Sequence, residues 1–171
     1  AVTPMPDMLV SADGTHLAVR KTDGGMALLR DRSGDYIRDA FSSAAGFEGD
    51  LTPVSALPGA RCSKDVCLFS VIGKDGRRVS VLATRSDYLV PRAEMEPACA
   101  AADIVVSDRW LPGWCRPRWM KIDGRMLARS GGVSIDFASR TIRTTRGSAG
   151  EHPWVDPPTT MPPRPSKRAR Q

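Results

Sequence analysis

The stretch that most constrains the fold is VCLFSVIGKDGRRVSVLAT, residues 66–84, in which two apolar runs flank a turn-forming sequence. The runs are joined at Lys74-Asp75-Gly76, and an Asp-Gly step between such runs is typical of a β-hairpin. Further along, ADIVVSD at residues 102–108 is a continuous apolar run, which is typical of a strand buried on both faces. Because this strand follows helix-like sequence, the chain is predicted to form an α/β fold with a mixed sheet and flanking helices.

The N-terminal third alternates short apolar runs with turns. Residues 7–30 are predicted to form three short strands separated by turns at Asp13-Gly14 and Asp23-Gly24-Gly25. A helix is predicted between a Ser33 cap and a Gly46 stop. Residues 47–61 have no periodicity and contain Pro53, Pro58 and Gly59, so they are predicted to be loop.

The second half of the chain continues the alternation of helix and strand. Helix-like sequence runs from Ser86 to about Ala101 and is interrupted by two prolines. After the Trp-rich segment come WMKID, the short helical turn GRMLARSGG and a final hairpin, VSIDFASRTIRTT. Strands therefore outnumber helices in the predicted order.

Length and composition set the predicted domain boundaries. At 171 residues the chain has the length of one domain. Residues 1–6 are predicted to be a linker, residues 7–149 the folded domain, and residues 150–171 a disordered, Pro-rich basic tail. No apolar run approaches the roughly 18 residues of a membrane-spanning helix. The start lacks a signal-peptide pattern and a Met, so we expect a piece of a longer protein.

Positive charge is concentrated in the last third of the chain. Residues 1–107 hold 12 basic and 14 acidic side chains, whereas residues 108–147 hold nine basic and three acidic ones. The nine basic residues are Arg109, Arg116, Arg118, Lys121, Arg125, Arg129, Arg140, Arg143 and Arg146. This asymmetry suggests a polyanionic partner, and a solvated basic face is the alternative.

The segment RWLPGWCRPRWMK interleaves tryptophans with cations inside this basic region. Aromatic rings can stack on bases while arginines neutralise phosphates, which is how single-stranded nucleic acid is bound. The alternative is a Trp-rich cover over a sheet edge with cation–π pairs. The candidate nucleic-acid-binding residues are Arg109, Trp110, Trp114, Arg116, Arg118, Trp119 and Lys121.

The four cysteines, Cys62, Cys67, Cys99 and Cys115, leave three interpretations open. Two local disulfides, Cys62–Cys67 and Cys99–Cys115, fit an oxidising compartment. A zinc site is disfavoured because the knuckle-like C-x-x-C pairs are missing. Free buried thiols in a reducing compartment are the third interpretation.

Catalytic signatures are mostly missing from the sequence. His16 and His152 stand far apart in no ligand spacing, and a zinc hydrolase needs several histidine and carboxylate ligands. Asp103, Asp108 and Asp123 are the only carboxylates considered for an enzyme. No metal ligand, cofactor or small-molecule substrate is therefore predicted.

Four strings resemble one family, the C-terminal soluble domain of ComEC-type competence proteins, whose membrane channel internalises DNA. The strings are DGTHLAVR, GGMALLRDRSGDYIRDAF, CAAADIVVSDRWLPGWCRPRWMKID and LARSGGVSID, and the likeness spans about residues 7–154. The resemblance implies a metallo-β-lactamase-like α/β domain joined to a transmembrane channel. In members with the full motif, this domain is proposed to be a metal-dependent nuclease that degrades the non-transported strand.

This sequence departs from the family at the metal ligands. The chain passes through FEGDLTPVSALPGARC where a His-x-His-x-Asp-His loop would stand, and Arg85 and Ser86 follow VSVLAT where a Gly-Asp ligand is expected. We therefore expect a shortened, degenerate, non-catalytic domain that guides DNA or scaffolds the channel, with a metal-dependent nuclease as the alternative. A purely structural domain that never contacts DNA is a third possibility.

The resemblance also implies partners and a location. The expected partners are the transmembrane channel portion of the same parent protein and single-stranded DNA. The expected location is a soluble domain attached to a cell-membrane protein, with the periplasmic or extracytoplasmic side favoured.

Overall fold

The computed structural model describes residues 5–30, 38–40, 43, 49 and 51–148. Its strands form a six-stranded sheet A, in the order β11-β10-β1-β2-β3-β4, and a five-stranded sheet B, in the order β5-β6-β7-β8-β9. The strands of sheet A are β1 (Met8–Val10), β2 (Leu17–Arg20), β3 (Met26–Leu28), β4 (Leu51–Pro53), β10 (Val133–Asp136) and β11 (Thr141–Thr144). Those of sheet B are β5 (Arg61–Cys62), β6 (Val66–Ile72), β7 (Arg78–Thr84), β8 (Ile104–Val106) and β9 (Met120–Ile122). The helices are α1 (Arg92–Ala101), α2 (Gly124–Ser130) and α3 (Thr145–Ser148), and a 3-10 turn spans Val54–Ala56.

Sheet A brings distant parts of the sequence together. β1 pairs antiparallel with β2 on one side and with β10 on the other, while β4 pairs parallel with β3. The β1–β2 turn depends on Gly14, whose φ of +74° is unfavourable for residues with a Cβ. A Cβ at this position would lie 2.8 Å from the Asp108 Cα, so the turn also packs closely against the segment that follows β8.

Sheet B is built on the long hairpin. β6 and β7 pair antiparallel from Val66↔Thr84 to Ile72↔Arg78, and Gly76 in the turn has a φ of +80°. β8 pairs parallel with β7, and β9 pairs parallel with β8. α1 forms the connection that a parallel β7–β8 pair requires.

Apolar side chains of the two sheets share one core. Alternate residues such as Val10 and Val19 of sheet A and Phe69 and Val81 of sheet B belong to the same buried cluster. α1 packs on the other face of sheet B, where Val105 joins a second buried cluster. β8 is therefore covered on both faces, which explains its continuous apolar sequence.

The predicted α/β class is confirmed, but two mixed sheets replace the single mixed sheet that was predicted. The prediction of loop for residues 47–61 is wrong in part, because β4, the 3-10 turn and the short β5 lie there. The helix-like stretch from Ser86 is helical only over Arg92–Ala101. Both differences have one cause: strands of two or three residues and proline-bounded segments show no periodicity.

Several predictions fall on other parts of the chain. Of the predicted 33–46 helix, residues 38–40 and 43 are helical and the remainder lies outside the described residues. The predicted tail, with His152, also lies outside them. No helix in the described part of the chain has the length and apolarity needed to cross a membrane.

Candidate nucleic-acid interface

The connection between β8 and β9, residues 107–119, carries most of the candidate residues and is tied to both neighbouring helices. The buried Asp123 carboxylate accepts the Leu111 N–H at 3.0 Å and also caps α2 by accepting the Met126 N–H at 3.0 Å. Cys115 is disulfide-bonded to Cys99 of α1, with 5.3 Å between their Cα atoms. The connection is thus anchored near its start by α2 and near its end by α1.

Two of the candidate cations serve the packing of this connection. Arg109 donates from Nη1 to the Ser86 carbonyl at 2.6 Å and from Nη2 to the Tyr88 carbonyl at 3.2 Å. Lys121 donates from Nζ to the Pro112 carbonyl at 3.2 Å. These charged groups are committed to backbone carbonyls, so they are less available to phosphate.

Arg118 lies at the opposite end of β8 from Trp110 and is ion-paired. Its Nε is 3.0 Å from Asp103 Oδ1, and its Nη2 donates to the Ala101 carbonyl at 2.8 Å. Asp103 also accepts the Ser80 N–H at 2.9 Å, so it links Arg118, which precedes β9, to β7. Arg118 therefore has a carboxylate partner, although its side chain is 60% exposed.

Arg116 is exposed but has an acidic neighbour. Its Nε donates to the Gly113 carbonyl at 3.1 Å. The pKa of Glu96 is lowered mainly by the hydrogen bond from Arg92 and, to a smaller degree, by the charges of Arg92 and Arg116. Glu96 is itself ion-paired with Arg92, whose Nε lies 2.6 Å from Glu96 Oε2.

The three candidate tryptophans lie in different environments. Trp114 is half-buried against the α1 cluster, with the Arg92 guanidinium 5.5 Å from its ring centroid. Trp119 packs on the core between the sheets and meets Phe137 edge-on at 6.0 Å. Only Trp110 of these three is largely exposed, with 56% of its surface accessible.

Trp110 borders an apolar groove at the carboxyl end of the parallel strands. The groove has a volume of about 180 Å³ and runs between the segment before α1 and the β8–β9 connection. It is lined by Thr84, Leu89, Val90, Met95, Arg109, Trp110, Leu111, Pro112 and Trp114. Leu89 is 74% exposed, so Trp110 and Leu89 both present apolar side chains to solvent at this edge.

The structure brings Arg109, Trp110 and Trp114 together around this groove, whereas Arg118 lies at the other end of β8 and Trp119 on the other face of sheet B. One arginine that was not among the candidate nucleic-acid-binding residues lies beside Trp110, and a second follows it on the same helix. Arg125 of α2 has its guanidinium 5.3 Å from the Trp110 ring centroid. Arg129 is four residues further along the same short helix, and the side chains of both arginines are exposed. Neither has an ion-pair or hydrogen-bond partner for its guanidinium among the described residues. Their i, i+4 spacing in GRMLARS was the signal in the sequence.

The carboxylates considered for catalysis do not form a metal site in the part of the chain that is described. No group of three or more His, Cys, Asp or Glu side chains there could hold an ion. Asp103 is ion-paired and Asp123 caps α2, while Asp108 Oδ1 is buried without a described partner. His16 lies in the β1–β2 turn region, where its backbone N–H donates to Ser11 Oγ at 3.1 Å.

The other cysteine pair lies at the far edge of sheet B. Cys62 and Cys67 are direct partners across the β5–β6 ladder, with 4.0 Å between their Cα atoms, and their sulfur atoms are bonded. None of the four cysteines is free in the structure. Disulfides are typical of proteins in oxidising compartments.

Comparison with known proteins adds no assignment, because no family model, curated protein or solved structure matches the chain.

Proposed function

We propose that the chain is a non-catalytic, metallo-β-lactamase-like domain of a ComEC-like DNA-uptake channel, and that it binds single-stranded DNA at Trp110. The strings quoted above support the family, and two bonded cysteine pairs are compatible with the extracytoplasmic side of a cell-membrane protein. The observation that carries DNA binding is the exposed Trp110 ring beside Arg125, with the exposed Arg129 one helical turn further along α2.

The arrangement suits single strands better than duplex DNA. An exposed indole can stack on an unpaired base of any sequence, and such stacking is worth about 1–3 kcal/mol per base. Arg125 and Arg129 lie one helical turn apart and can meet phosphates that follow the stacked base. The groove beside Trp110 offers apolar surface to the sugar and base edges.

The contact differs from the one expected from the sequence. Arg116 and Arg118 were among the candidate nucleic-acid-binding residues, but Arg118 is ion-paired with Asp103 and Arg116 donates to the Gly113 carbonyl. The proposal therefore assigns the phosphate contacts to Arg125 and Arg129. Arg116 is expected to contribute little to phosphate binding.

Fluorescence anisotropy of a labelled oligo(dT) of about 12 nucleotides at low salt tests the proposal. Trp110→Ala is expected to weaken binding by about 1–3 kcal/mol. Arg125→Ala with Arg129→Ala is expected to reduce the salt slope by about 1.4, since each phosphate contact adds about 0.7 for a single strand.

Arg61→Ala is the matched control. Arg61 is an exposed arginine on β5, at the edge of sheet B opposite β9, and its replacement removes one positive charge, as the single substitution Arg125→Ala does. Equal weakening by the Arg61 and Arg125 substitutions would mean diffuse charge attraction and would contradict the proposal. Absence of binding at low salt would contradict it too.

Two further measurements on the same protein distinguish the proposed non-catalytic domain from the alternative, a metal-dependent nuclease. Elemental analysis after incubation with zinc or manganese and dialysis is expected to find well below one equivalent. A tight equivalent together with metal-dependent cleavage of the oligonucleotide would replace the proposal with the nuclease.

A further inference from the structure

A second cavity lies on the other side of the molecule from Trp110. It has a volume of about 570 Å³ and opens between β4 of sheet A and β6 of sheet B, on the β5 side of sheet B. We call it the sheet-edge cleft. The proposed DNA contact makes no use of it.

The floor of the sheet-edge cleft is the edge of β6. Ser70, Val71 and Ile72 all line it, as expected when a cavity meets a strand from the side, because successive side chains point to opposite faces. The cleft therefore meets β6 along its edge.

The register shows which main-chain groups are open. The Gly73 N–H donates to the Arg77 carbonyl at 2.9 Å, and the Arg85 N–H donates to the Asp65 carbonyl at 2.7 Å. Because hydrogen-bonded pairs alternate along an antiparallel ladder, the odd-numbered residues of β6 bond to β7. The N–H and C=O groups of Ser70 and Ile72 point away from β7, and no described residue pairs with them.

β5 stops one step short of covering these groups. Its ladder with β6 reaches Arg61↔Leu68. The next hydrogen-bonding position would face Ser70, but the chain turns away there through the Leu57 carbonyl–Ala60 N–H bond at 3.0 Å, with Gly59 at a φ of +76°. The cleft occupies the place into which β5 would have continued.

The surroundings of this open edge are positively charged. Arg20, Lys21 and Arg78 line the cleft, against one carboxylate, Asp23. Asp23 already accepts the Gly25 N–H at 2.7 Å and lies 3.4 Å from Lys21 Nζ. Arg78 is exposed, and its guanidinium has no partner among the described residues. Arg20 donates from Nη2 to the Met5 and Pro6 carbonyls, whereas its buried Nε has no described acceptor.

We propose that the sheet-edge cleft binds an extended acidic peptide, which adds as a strand to β6. Its main chain pairs with the open groups of Ser70 and Ile72, as in β-augmentation. Its apolar side chains contact the Leu57 and Val71 side of the cleft, and its acidic side chains meet Arg78 on the outer face. A small anion would contact only the cations of the cleft. The open N–H and C=O groups of Ser70 and Ile72 recur at every second residue, which is the spacing at which another strand pairs.

The test uses the full chain with both disulfides and a blocked hexapeptide that alternates valine and glutamate. Titration followed by amide NMR is expected to shift the Ser70 and Ile72 resonances. Arg78→Glu is expected to weaken binding by about fivefold to tenfold, and Arg61→Glu, also exposed on this side of sheet B, by much less.

A backbone variant separates strand addition from charge attraction. The Ile72 N–H points away from β7, so Ile72→Pro removes an open donor and leaves the β6–β7 ladder intact. We expect Ile72→Pro to weaken peptide binding about tenfold more than Ile72→Ala, which keeps the N–H, with thermal unfolding as the check that both variants fold.

N-methylation of alternate amides in the peptide gives the same comparison without changing the protein. If the methylated peptide binds as tightly as the unmodified one, recognition depends on charge alone and the proposal is wrong. It is also wrong if millimolar peptide fails to shift the Ser70 and Ile72 resonances, or if Arg61→Glu weakens binding as much as Arg78→Glu.

Discussion

Removing the Cys99–Cys115 disulfide should destabilise the fold more than removing Cys62–Cys67. The first joins α1 to the β8–β9 connection across a sequence separation of 16, and the second closes a separation of 5 within one ladder. A disulfide restricts the unfolded chain, and this effect grows with the logarithm of the loop length. The loop lengths give about 3 kcal/mol for Cys99–Cys115 and about 2 kcal/mol for Cys62–Cys67.

Packing adds to this difference. Cys99 and Cys115 are 0% and 1% exposed and belong to the cluster between α1 and sheet B, whereas in the other pair Cys67 is buried and Cys62 is only half-buried. Replacing the buried pair by alanine also removes two sulfur atoms from a close-packed interior, which leaves a small cavity. The Cys99→Ala, Cys115→Ala protein should therefore lose at least about 3 kcal/mol of unfolding free energy.

Urea unfolding of the two double-alanine proteins measures the loss of unfolding free energy for each disulfide. Protein prepared without reductant should also show no titratable thiol after denaturation. An equal or larger loss for the Cys62→Ala, Cys67→Ala protein would refute the reasoning from loop length and burial. Four thiols titrating in non-reduced protein would refute the assignment of both disulfides.

Two further predictions concern positions away from the disulfides. Gly14→Ala should lower the free energy of unfolding by more than about 2 kcal/mol, because alanine would have to adopt a positive φ and its Cβ would lie 2.8 Å from the Asp108 Cα. Gly24 has a φ of +86° but open space around it, so Gly24→Ala should cost only about 1 kcal/mol. Urea unfolding measures both. Asp136 has a pKa lowered to about 2, first by the Ser139 N–H and then by Lys74, so its contribution is present above the ordinary value of 3.8 and is lost as the pH falls through about 2. Asp136→Asn should therefore lower stability at pH 7 by about 1–2 kcal/mol, with a deficit that narrows below pH 4; a deficit independent of pH would contradict this.

Local features of the fold could be predicted where turn chemistry and periodicity agree. The hairpin at residues 66–84 forms β6 and β7, with Gly76 in the expected turn. The apolar run at 102–108 forms the doubly covered β8. Each of these features is encoded within about 20 residues by side-chain period and a turn that needs glycine.

The division into two sheets could not be predicted in this way. β1 pairs with β10, from the opposite end of the described chain, and no local pattern specifies that partner. The different burial of Trp110 and Trp119 follows from the same long-range pairing. Trp119 precedes β9 and packs into the core between the sheets, whereas Trp110 is left exposed on the surface of the preceding connection. Composition alone treats the two residues as equivalent.

Contacts within the protein occupy several of the nine basic side chains of residues 108–147, and this bears on DNA binding. If all nine basic side chains met phosphates, the salt slope for a single strand would be about 6. In the structure, Arg109 and Lys121 bind backbone carbonyls, Arg118 is paired with Asp103, and Arg140 lies 4.7 Å from the Trp119 ring centroid. Arg125 lies beside Trp110 and Arg129 follows it on α2, so the slope expected from contacts by these two arginines is between about 1 and 2. A measured slope near 6 would mean that DNA contacts a much wider surface than Trp110 and α2.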